Sequence, residues 1–145
     1  MKKNYEMLKK TTANHISLSP LSFIQRTADI FPNRIAVVYD GTTYSWSKIY
    51  ERTRQLASAL KKNGVTVGDT VSIMAANTPE MFEAHFGVPM AGAVLNAINT
   101  RLEVSTVSYI LEHSDARVLL TDTAFSDVVS EALKLVDREI LVIDI

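Results

Sequence analysis

Residues 71–101 read VSIMAANTPEMFEAHFGVPMAGAVLNAINTR, and their pattern predicts a strand, a helix and a second strand. The run from Val71 to Ala76 is short and almost entirely apolar, as in strands that are covered on both faces of a parallel sheet. Thr78 or Asn77 can cap the helix that follows, because Pro79 and Glu80 both suit its first turn. The stretch therefore predicts a βαβ unit, whose crossover should be right-handed.

The predicted helix ends at Gly92, which can adopt the left-handed conformation that closes many helices. Residues 93–97 (AVLNA) then form the second predicted strand. Pro89 lies inside the helix and cannot donate the backbone bond that would reach the carbonyl of His85. A kink or an early end of the helix is therefore expected at Pro89.

The chain before this unit opens on a polar, lysine-rich segment, residues 1–19, which we interpret as a mobile lead-in rather than a binding arm. A helix is predicted next, with Ser19 as its cap and Pro20 in its first position, and Pro32 stops it. Its apolar residues recur at near-helical spacing, which predicts one buried face: Leu21, Phe23, Ile24, Ala28 and Phe31.

Residues 35–45 predict a β-hairpin, because Asp40-Gly41 between two β-forming runs suits a turn in which both central residues need positive φ. Ser45 can cap a long helix that runs to about Asn63 and ends at Gly64. One apolar stripe of this helix should face the core, namely Trp46, Ile49, Tyr50, Leu56, Ala57 and Leu60.

The chain after the central unit continues to alternate helices and strands. Helices are predicted at about 104–113 and 126–136, and strands at 117–121 and 140–145. This alternation predicts an α/β fold: a partial, mainly parallel sheet with flanking helices and an N-terminal β-hairpin.

Composition excludes several classes of function. The 145 residues include 15 basic and 16 acidic side chains, so no field of one sign exists to attract nucleic acid or anionic lipid. The absence of cysteine excludes disulfides and thiolate chemistry and is compatible with a reducing compartment. We find no signal peptide and no membrane-spanning segment in the sequence, and we expect a cytoplasmic protein.

The glycines and histidines give no catalytic motif. Residues 87–92 (GVPMAG) superficially resemble the start of a phosphate-binding loop, but the Lys-Ser/Thr pair is absent and the glycines end a helix. Close packing of the helix end explains Gly92 better. His85 is interpreted as a packed residue with one hydrogen bond, His113 as a helix-end residue, and the three histidines do not have metal-binding spacing: His15, His85 and His113.

The remaining polar residues are also assigned structural roles. Asn96, Asn99 and Arg101 follow a strand near the sheet edge where α/β folds bind ligands, yet hydrogen bonds to the local backbone explain them better. The scattered acidic residues do not form a catalytic pair: Asp115, Asp122, Asp127 and Glu131. Basic residues of the long helix are interpreted as a solvated face: Arg52, Arg54, Lys61 and Lys62.

The segment NTPEMFEAHFGVPMAGAVLNAINTRL resembles the N-terminal part of the AMP-forming acyl-CoA synthetases, members of the adenylate-forming superfamily. The resemblance extends through PNRIAVVYDGTTYSWSKIYERTRQLASALKKNGVTVGDTV, YILEHSDARVLLTD and FSDVVSEAL, and so covers nearly all of the chain beyond Pro20. It is strongest to the branch that acts on short- and medium-chain or methylthioalkanoic acids. It implies that residues 20–145 are an incomplete N-terminal portion of an AMP-binding domain.

The resemblance implies that a full-length enzyme would use ATP, Mg²⁺ and CoA to convert a small carboxylic acid into its acyl-CoA, with release of AMP and pyrophosphate. The family's phosphate loop and its later catalytic motifs do not occur in this sequence. No catalytic, cofactor-binding or metal-binding residue is therefore assigned. Whether this chain is itself an enzyme stays uncertain, and we expect it to be inactive alone.

Two alternatives remain open: a non-catalytic α/β interaction module, and a degenerate paralogue that binds a full-length synthetase. The apolar final strand ILVIDI would need a helix on each face in a parallel sheet. We therefore expect a truncated chain with a poorly covered face and a tendency to self-associate through the sheet.

Overall fold

The computed structural model describes residues 9–145, and residues 1–8 of the predicted lead-in lie outside this range. Five α-helices follow in chain order: α1 Pro20–Ile30, α2 Trp46–Lys62, α3 Pro79–Ala91, α4 Val104–His113 and α5 Ser126–Leu133. Six strands accompany them: β1 Ile35–Tyr39, β2 Thr42–Ser45, β3 Thr70–Met74, β4 Val94–Ala97, β5 Ala116–Thr121 and β6 Leu141–Asp144. A short 3₁₀ turn at Thr123–Phe125 leads into α5.

The four later strands form one parallel sheet in the order β4-β3-β5-β6. β3 pairs with β4 on one side, through contacts such as Val71 with Leu95, and with β5 on the other. β1 and β2 form a separate antiparallel hairpin, and Asp40 and Gly41 have the positive φ values that its turn requires (45° and 73°). The α/β fold with a parallel sheet and an N-terminal hairpin is therefore confirmed.

The two faces of the sheet carry separate apolar cores. Val71 and Ile73 of β3 pack toward α2 and α3, in a cluster that includes Leu60, Ala84 and Val88. On the opposite face, Met74 and Leu119 pack with residues of α4 and α5: Val107, Leu111, Val129 and Ala132. Side chains alternate between the faces because successive residues of a strand point to opposite sides. Residues 71–75 of the apolar run that predicted a doubly covered strand are buried as expected, whereas Ala76 is exposed.

Most predicted helix starts and ends agree with the structure. Ser19 Oγ accepts a hydrogen bond from Leu21 N, Ser45 Oγ accepts one from Lys48 N, and Thr78 Oγ1 accepts one from Met81 N. Gly92 closes α3 with φ 89°, which is the left-handed conformation that its position predicted.

Several details of the prediction were wrong. α3 continues through Pro89 to Ala91, so of the two alternatives expected at Pro89, a kink or an early end, the early end does not occur. In α1 only Ile24 and Ala28 are buried, whereas Phe23 and Phe31 are about half exposed. This helix packs against α2 and α3 along one narrow side, which leaves its flanks in solvent. α5 stops at Leu133 rather than near Val136, and β3 stops at Met74.

β6 lies at the edge of the sheet and is poorly covered. Leu141 and Val142 are 40% and 37% exposed, and Ile145 just beyond the strand is 39% exposed. A parallel edge strand with apolar side chains and unpaired backbone groups is a site where another chain can pair. None of the helices in residues 9–145 is sufficiently long and apolar to cross a lipid bilayer.

Candidate functional site

The strand order defines where a ligand site is expected in this sheet. β4 and β5 lie on opposite sides of β3, and the helices that follow β3 and β5 cover opposite faces. In open parallel sheets ligands bind outside the carboxyl ends of the strands, at the point where the strand order changes direction. The candidate crevice therefore lies beyond β3 and β5, near Asn77 and Asp122.

The polar groups at this crevice are used to connect the two strands and to cap the following turns. Thr121 Oγ1 donates to the Met74 carbonyl at 3.2 Å, and Asp122 N donates to the same oxygen at 3.3 Å. The Asp122 carboxylate accepts from Ala124 N at 2.8 Å and so caps the 3₁₀ turn. These hydrogen bonds hold β3 and β5 in register and do not by themselves form a reacting centre.

An apolar groove of about 530 Å³ begins at the same end of β3 and runs between the hairpin and α3. Phe82 and Phe86 lie along it with their ring centroids 5.3 Å apart, and β1 contributes Val37 and Val38. Asn77 is one of few polar residues in its lining. The groove has the size and the apolar character of small-molecule sites.

The three predicted polar residues after β4 are not brought together into one site. Asn96 lies within β4 and donates from Nδ2 to Ser72 Oγ at 3.0 Å and to Ser114 Oγ at 3.2 Å. The prediction that it bonds to backbone was wrong, because its partners are two side chains on neighbouring elements. Asn99 Oδ1 accepts from Arg101 N at 2.9 Å, which is the local loop contact that was expected.

The histidines do not form a metal site in residues 9–145, where no group of three metal-binding side chains occurs. His85 is exposed rather than packed, so that part of its interpretation was wrong. Its Nδ1 lies 2.8 Å from the Met81 carbonyl, which is the single hydrogen bond that was predicted. His113 stands in the last turn of α4 and stacks on Tyr109 with a centroid separation of 5.3 Å.

The glycines of the GVPMAG segment serve helix packing. A Cβ added to Gly87 would lie 2.7 Å from Leu56 Cδ2, and one added to Gly92 would lie 2.9 Å from Val67 Cγ2. Both distances are too short for ordinary contact, so only glycine allows these approaches without movement of the neighbour. The segment therefore joins α3 to α2 and to the loop before β3, and the rejection of a phosphate loop agrees with this geometry.

The sequence prediction missed an ion-pair cluster between α2 and α3. Arg52 Nε donates to Glu83 Oε1, and Arg52 Nη2 donates to Glu80 Oε1 at 3.0 Å. The Glu83 side chain is only 7% exposed, and Arg52 also stands over the Tyr44 ring of the hairpin at 5.5 Å. The interpretation of Arg52 as part of a solvated face was wrong.

Burial and pairing act in opposite directions on Glu83. Loss of solvent raises the pKa of the Glu83 carboxyl, and this effect exceeds the opposing attraction of Arg52. The hydrogen bond to Glu83 raises the pKa of the Arg52 guanidinium. The sequence signal for this pair was Glu83 itself, a carboxylate on the same helical face as Ala84, Gly87 and Val88.

The other acidic residues hold local structure. Asp115, whose φ is 52°, accepts from Arg138 Nη2 at 2.6 Å, and Glu112 accepts from the same nitrogen at 3.3 Å. Glu131 pairs with Lys134 at 2.6 Å on the exposed side of α5, and Asp127 lies in the first turn of that helix. Glu112 and Asp115 thus share one guanidinium partner, whereas Glu131 pairs on a different helix.

The strand order and the helices on both faces define an open parallel α/β domain, a class in which ligands bind at the carboxyl ends of the strands. The sequence profile of the AMP-binding enzyme family matches residues 24–145, so this chain belongs to that family. The chain is 43% identical to acetate–CoA ligase CCL3 of Humulus lupulus over 132 residues, which are 91% of this chain and 23% of the relative. It is 42% identical to the peroxisomal butyrate–CoA ligase AAE11 of Arabidopsis thaliana, over 86% of this chain and 22% of the relative.

Solved structures support the same fold. A benzoate CoA ligase from Burkholderia xenovorans LB400 superposes with a TM-score of 0.81 and 26% identity, over 86% of this chain and 25% of the other. The O-succinylbenzoate coenzyme A synthetase of Bacillus subtilis, solved with AMP, superposes with a TM-score of 0.73 and 28% identity, over 84% and 30%. The chain thus spans about a quarter of the length of the curated relatives it matches.

Proposed function

We propose that this chain forms the first scaffold layer of an ATP-dependent acid–CoA ligase. In the whole reaction a carboxylate attacks the α-phosphate of ATP, pyrophosphate leaves, and CoA sulfur then displaces AMP to give the acyl-CoA. The observation that carries the proposal is the match to relatives named as acid–CoA ligases over 86–91% of this chain. Their names span acetate, butyrate and benzoate, which supports a small carboxylic acid without selecting one.

The side chains of residues 9–145 do not fit a triphosphate with its Mg²⁺. Transfer of a phosphoryl or adenylyl group needs donors and cations aimed at the phosphate oxygens, and carboxylates to hold the metal. Here Gly87 and Gly92 pack against neighbouring side chains, and no metal-binding cluster is found among the described residues. We derive no catalytic step through ATP or Mg²⁺ in this chain.

In this proposal the chain holds strands and helices in fixed relative positions and supplies no catalytic group. Thr121 and Asp122 fix the ends of β3 and β5, Arg52 joins the hairpin to α2 and α3, and the α2–α3 contact at Gly87 sets the spacing of one helical layer. A ligand site built at this edge of the sheet inherits that geometry. We also propose a cytoplasmic location for the protein.

The proposal is tested by turnover of residues 1–145 with ATP, Mg²⁺, CoA and a panel of acetate, butyrate, hexanoate and benzoate. Pyrophosphate release is followed with a coupled assay, and acetate–CoA ligase CCL3 serves as the positive control. We expect no release above the rate without protein. Turnover that depends on acid and enzyme concentration would overturn the assignment of a purely positional role.

A further inference from the structure

A wide groove of about 1040 Å³, here called the outer groove, lies beside α2. One wall is the segment before α1 together with the start of α1, and the other is a stripe of α2. The stripe presents Tyr50, Arg54, Ser58 and Lys61 at successive turns, with Lys62 beside them. This outer groove is separate from the apolar groove between the hairpin and α3.

The charged residues of the described chain that line the outer groove are all basic. Its lining includes Arg54, Lys61 and Lys62 but no aspartate or glutamate among residues 9–145. None of these three cations makes an ion pair within 4.0 Å with any carboxylate in the described part of the chain. By contrast, Lys48 and Arg52 on the same helix each have a carboxylate partner.

Arg54 and Lys61 stand two helical turns apart, about 10 Å along the axis. The local field of this stripe is positive although the whole chain has a net charge of −1.

The floor and rim of the outer groove are apolar. Ala57 is buried at its base, and Leu21 and Met90 are half-buried in its lining. Ile16 stands in the lining with 85% of its surface exposed. An apolar floor beside cations that have no carboxylate partner within residues 9–145 is complementary to a ligand that is anionic at one end and apolar at the other.

We propose that the outer groove binds a free amphipathic anion, a single-chain molecule with a phosphate or carboxylate head. The head lies against Arg54, Lys61 and Lys62, and the apolar chain lies against Leu21, Met90 and Ile16. Removing that chain from water and pairing the head with three cations both favour the complex. The outer groove shares no residue with the crevice beyond β3 and β5, so this binding does not depend on ligase activity.

The test uses residues 1–145 with decyl phosphate below its micelle concentration, monitored by calorimetry and by amide chemical shifts of isotope-labelled protein. We expect saturable binding, shifts concentrated at Ile16 and along Arg54 to Lys62, and weaker binding as salt rises. Lys61→Gln with Lys62→Gln should weaken binding about tenfold, since each exposed pair contributes only modestly. Lys48→Gln with Lys134→Gln removes the same charge elsewhere and should leave the affinity unchanged.

Two further experiments compare decyl phosphate with inorganic phosphate and with lipid vesicles. Inorganic phosphate should bind at least tenfold more weakly than decyl phosphate, and Ile16→Ser should reduce that advantage. Equal binding of the two probes, or equal losses in the groove and control variants, would overturn the proposal. Binding only to vesicles of phosphatidylserine and phosphatidylcholine, with none to free decyl phosphate, would also overturn it and would assign the surface to a membrane.

Discussion

Gly87 of α3 lies directly against Leu56 of α2, so that a Cβ on Gly87 would stand 2.7 Å from Leu56 Cδ2 and 3.1 Å from Leu56 Cβ. These two residues mark the closest approach recorded at any glycine of the described chain. The contact explains why glycine occurs in the middle of a helix, where it otherwise costs about 1 kcal/mol relative to alanine. It also gives the GVPMAG segment a structural role.

Gly87→Val should lower the free energy of unfolding by about 1–3 kcal/mol, because the added side chain overpacks the α2–α3 contact. Urea denaturation followed by circular dichroism measures the change. Ser130→Val, at an exposed position of α5, controls for the helix propensity of valine. Leu56→Ala combined with Gly87→Val should recover part of the loss, and strict additivity of the two changes would contradict the contact.

Glu83 should make stability depend on pH in a defined direction. Burial raises the folded-state pKa of Glu83 above its ordinary value of 4.5, so the folded protein holds this proton more tightly than the unfolded chain. The stability that protonated Glu83 contributes is therefore fully present below the ordinary pKa, and it is lost as pH rises through the folded-state pKa. The wild type should lose stability relative to Glu83→Gln as pH rises above the ordinary pKa of 4.5.

The measurement is the difference in unfolding free energy between wild type and Glu83→Gln across that pH range. Glu131→Gln, which removes an exposed carboxylate of α5, is the matched comparison. If the unfolding free energy of the wild type instead increased relative to that of Glu83→Gln as pH rises, the pairing with Arg52 would outweigh burial and the prediction would be wrong.

Asn96 should stabilise the sheet through its two side-chain partners. Ser72 is fully buried in β3, so Asn96→Ala leaves its hydroxyl without the amide donor, at a cost of about 1–3 kcal/mol. Asn63→Ala, which removes an exposed amide contact to the Ala59 carbonyl, should cost less. Adding Ser72→Ala to Asn96→Ala should restore part of the loss, and thermal unfolding of the set provides the comparison.

The edge strand β6 should cause self-association. Val142 and Leu141 expose more than a third of their surface beside unpaired backbone groups. Val142→Lys should shift the chain toward monomer, because a lysine on an edge strand disfavours pairing with another chain. Sedimentation velocity over a range of concentrations measures this shift, with Val67→Lys as an exposed loop control. A wild-type chain that stays monomeric and unfolds reversibly in one sharp transition would contradict the prediction.

The parts of the fold that the sequence predicted are those decided within a few residues. Ser19, Ser45 and Thr78 each cap the helix that begins immediately after them, and Asp40-Gly41 closes its own hairpin. Apart from small errors in the ends of elements, the wrong predictions concern contacts between distant segments. Arg52 and Glu83 are separated by 31 residues, and only the packing of α2 on α3 brings them together.

Dependence on contacts between distant segments also explains why the candidate site was predicted only in part. Periodicity places Asn96 on a strand but does not reveal that Ser72 and Ser114 lie beside it, since strand order is not local. Phe23 and Phe31 share the helical spacing of buried residues, yet exposure depends on how many neighbours cover α1. The lack of a carboxylate partner for Arg54, Lys61 and Lys62 among residues 9–145 is likewise visible only once the positions of the carboxylates in that range are known.

The most direct test of the proposed scaffold role is a chimaera in which this chain replaces the matched segment of acetate–CoA ligase CCL3. The measurement is acetyl-CoA formation from acetate, ATP and CoA, with butyrate as the competing acid. We expect a folded chimaera that forms acyl-CoA and keeps the acid preference of CCL3, because this chain supplies position rather than chemistry. A folded chimaera with no turnover, or one whose acid preference changes, would contradict that account.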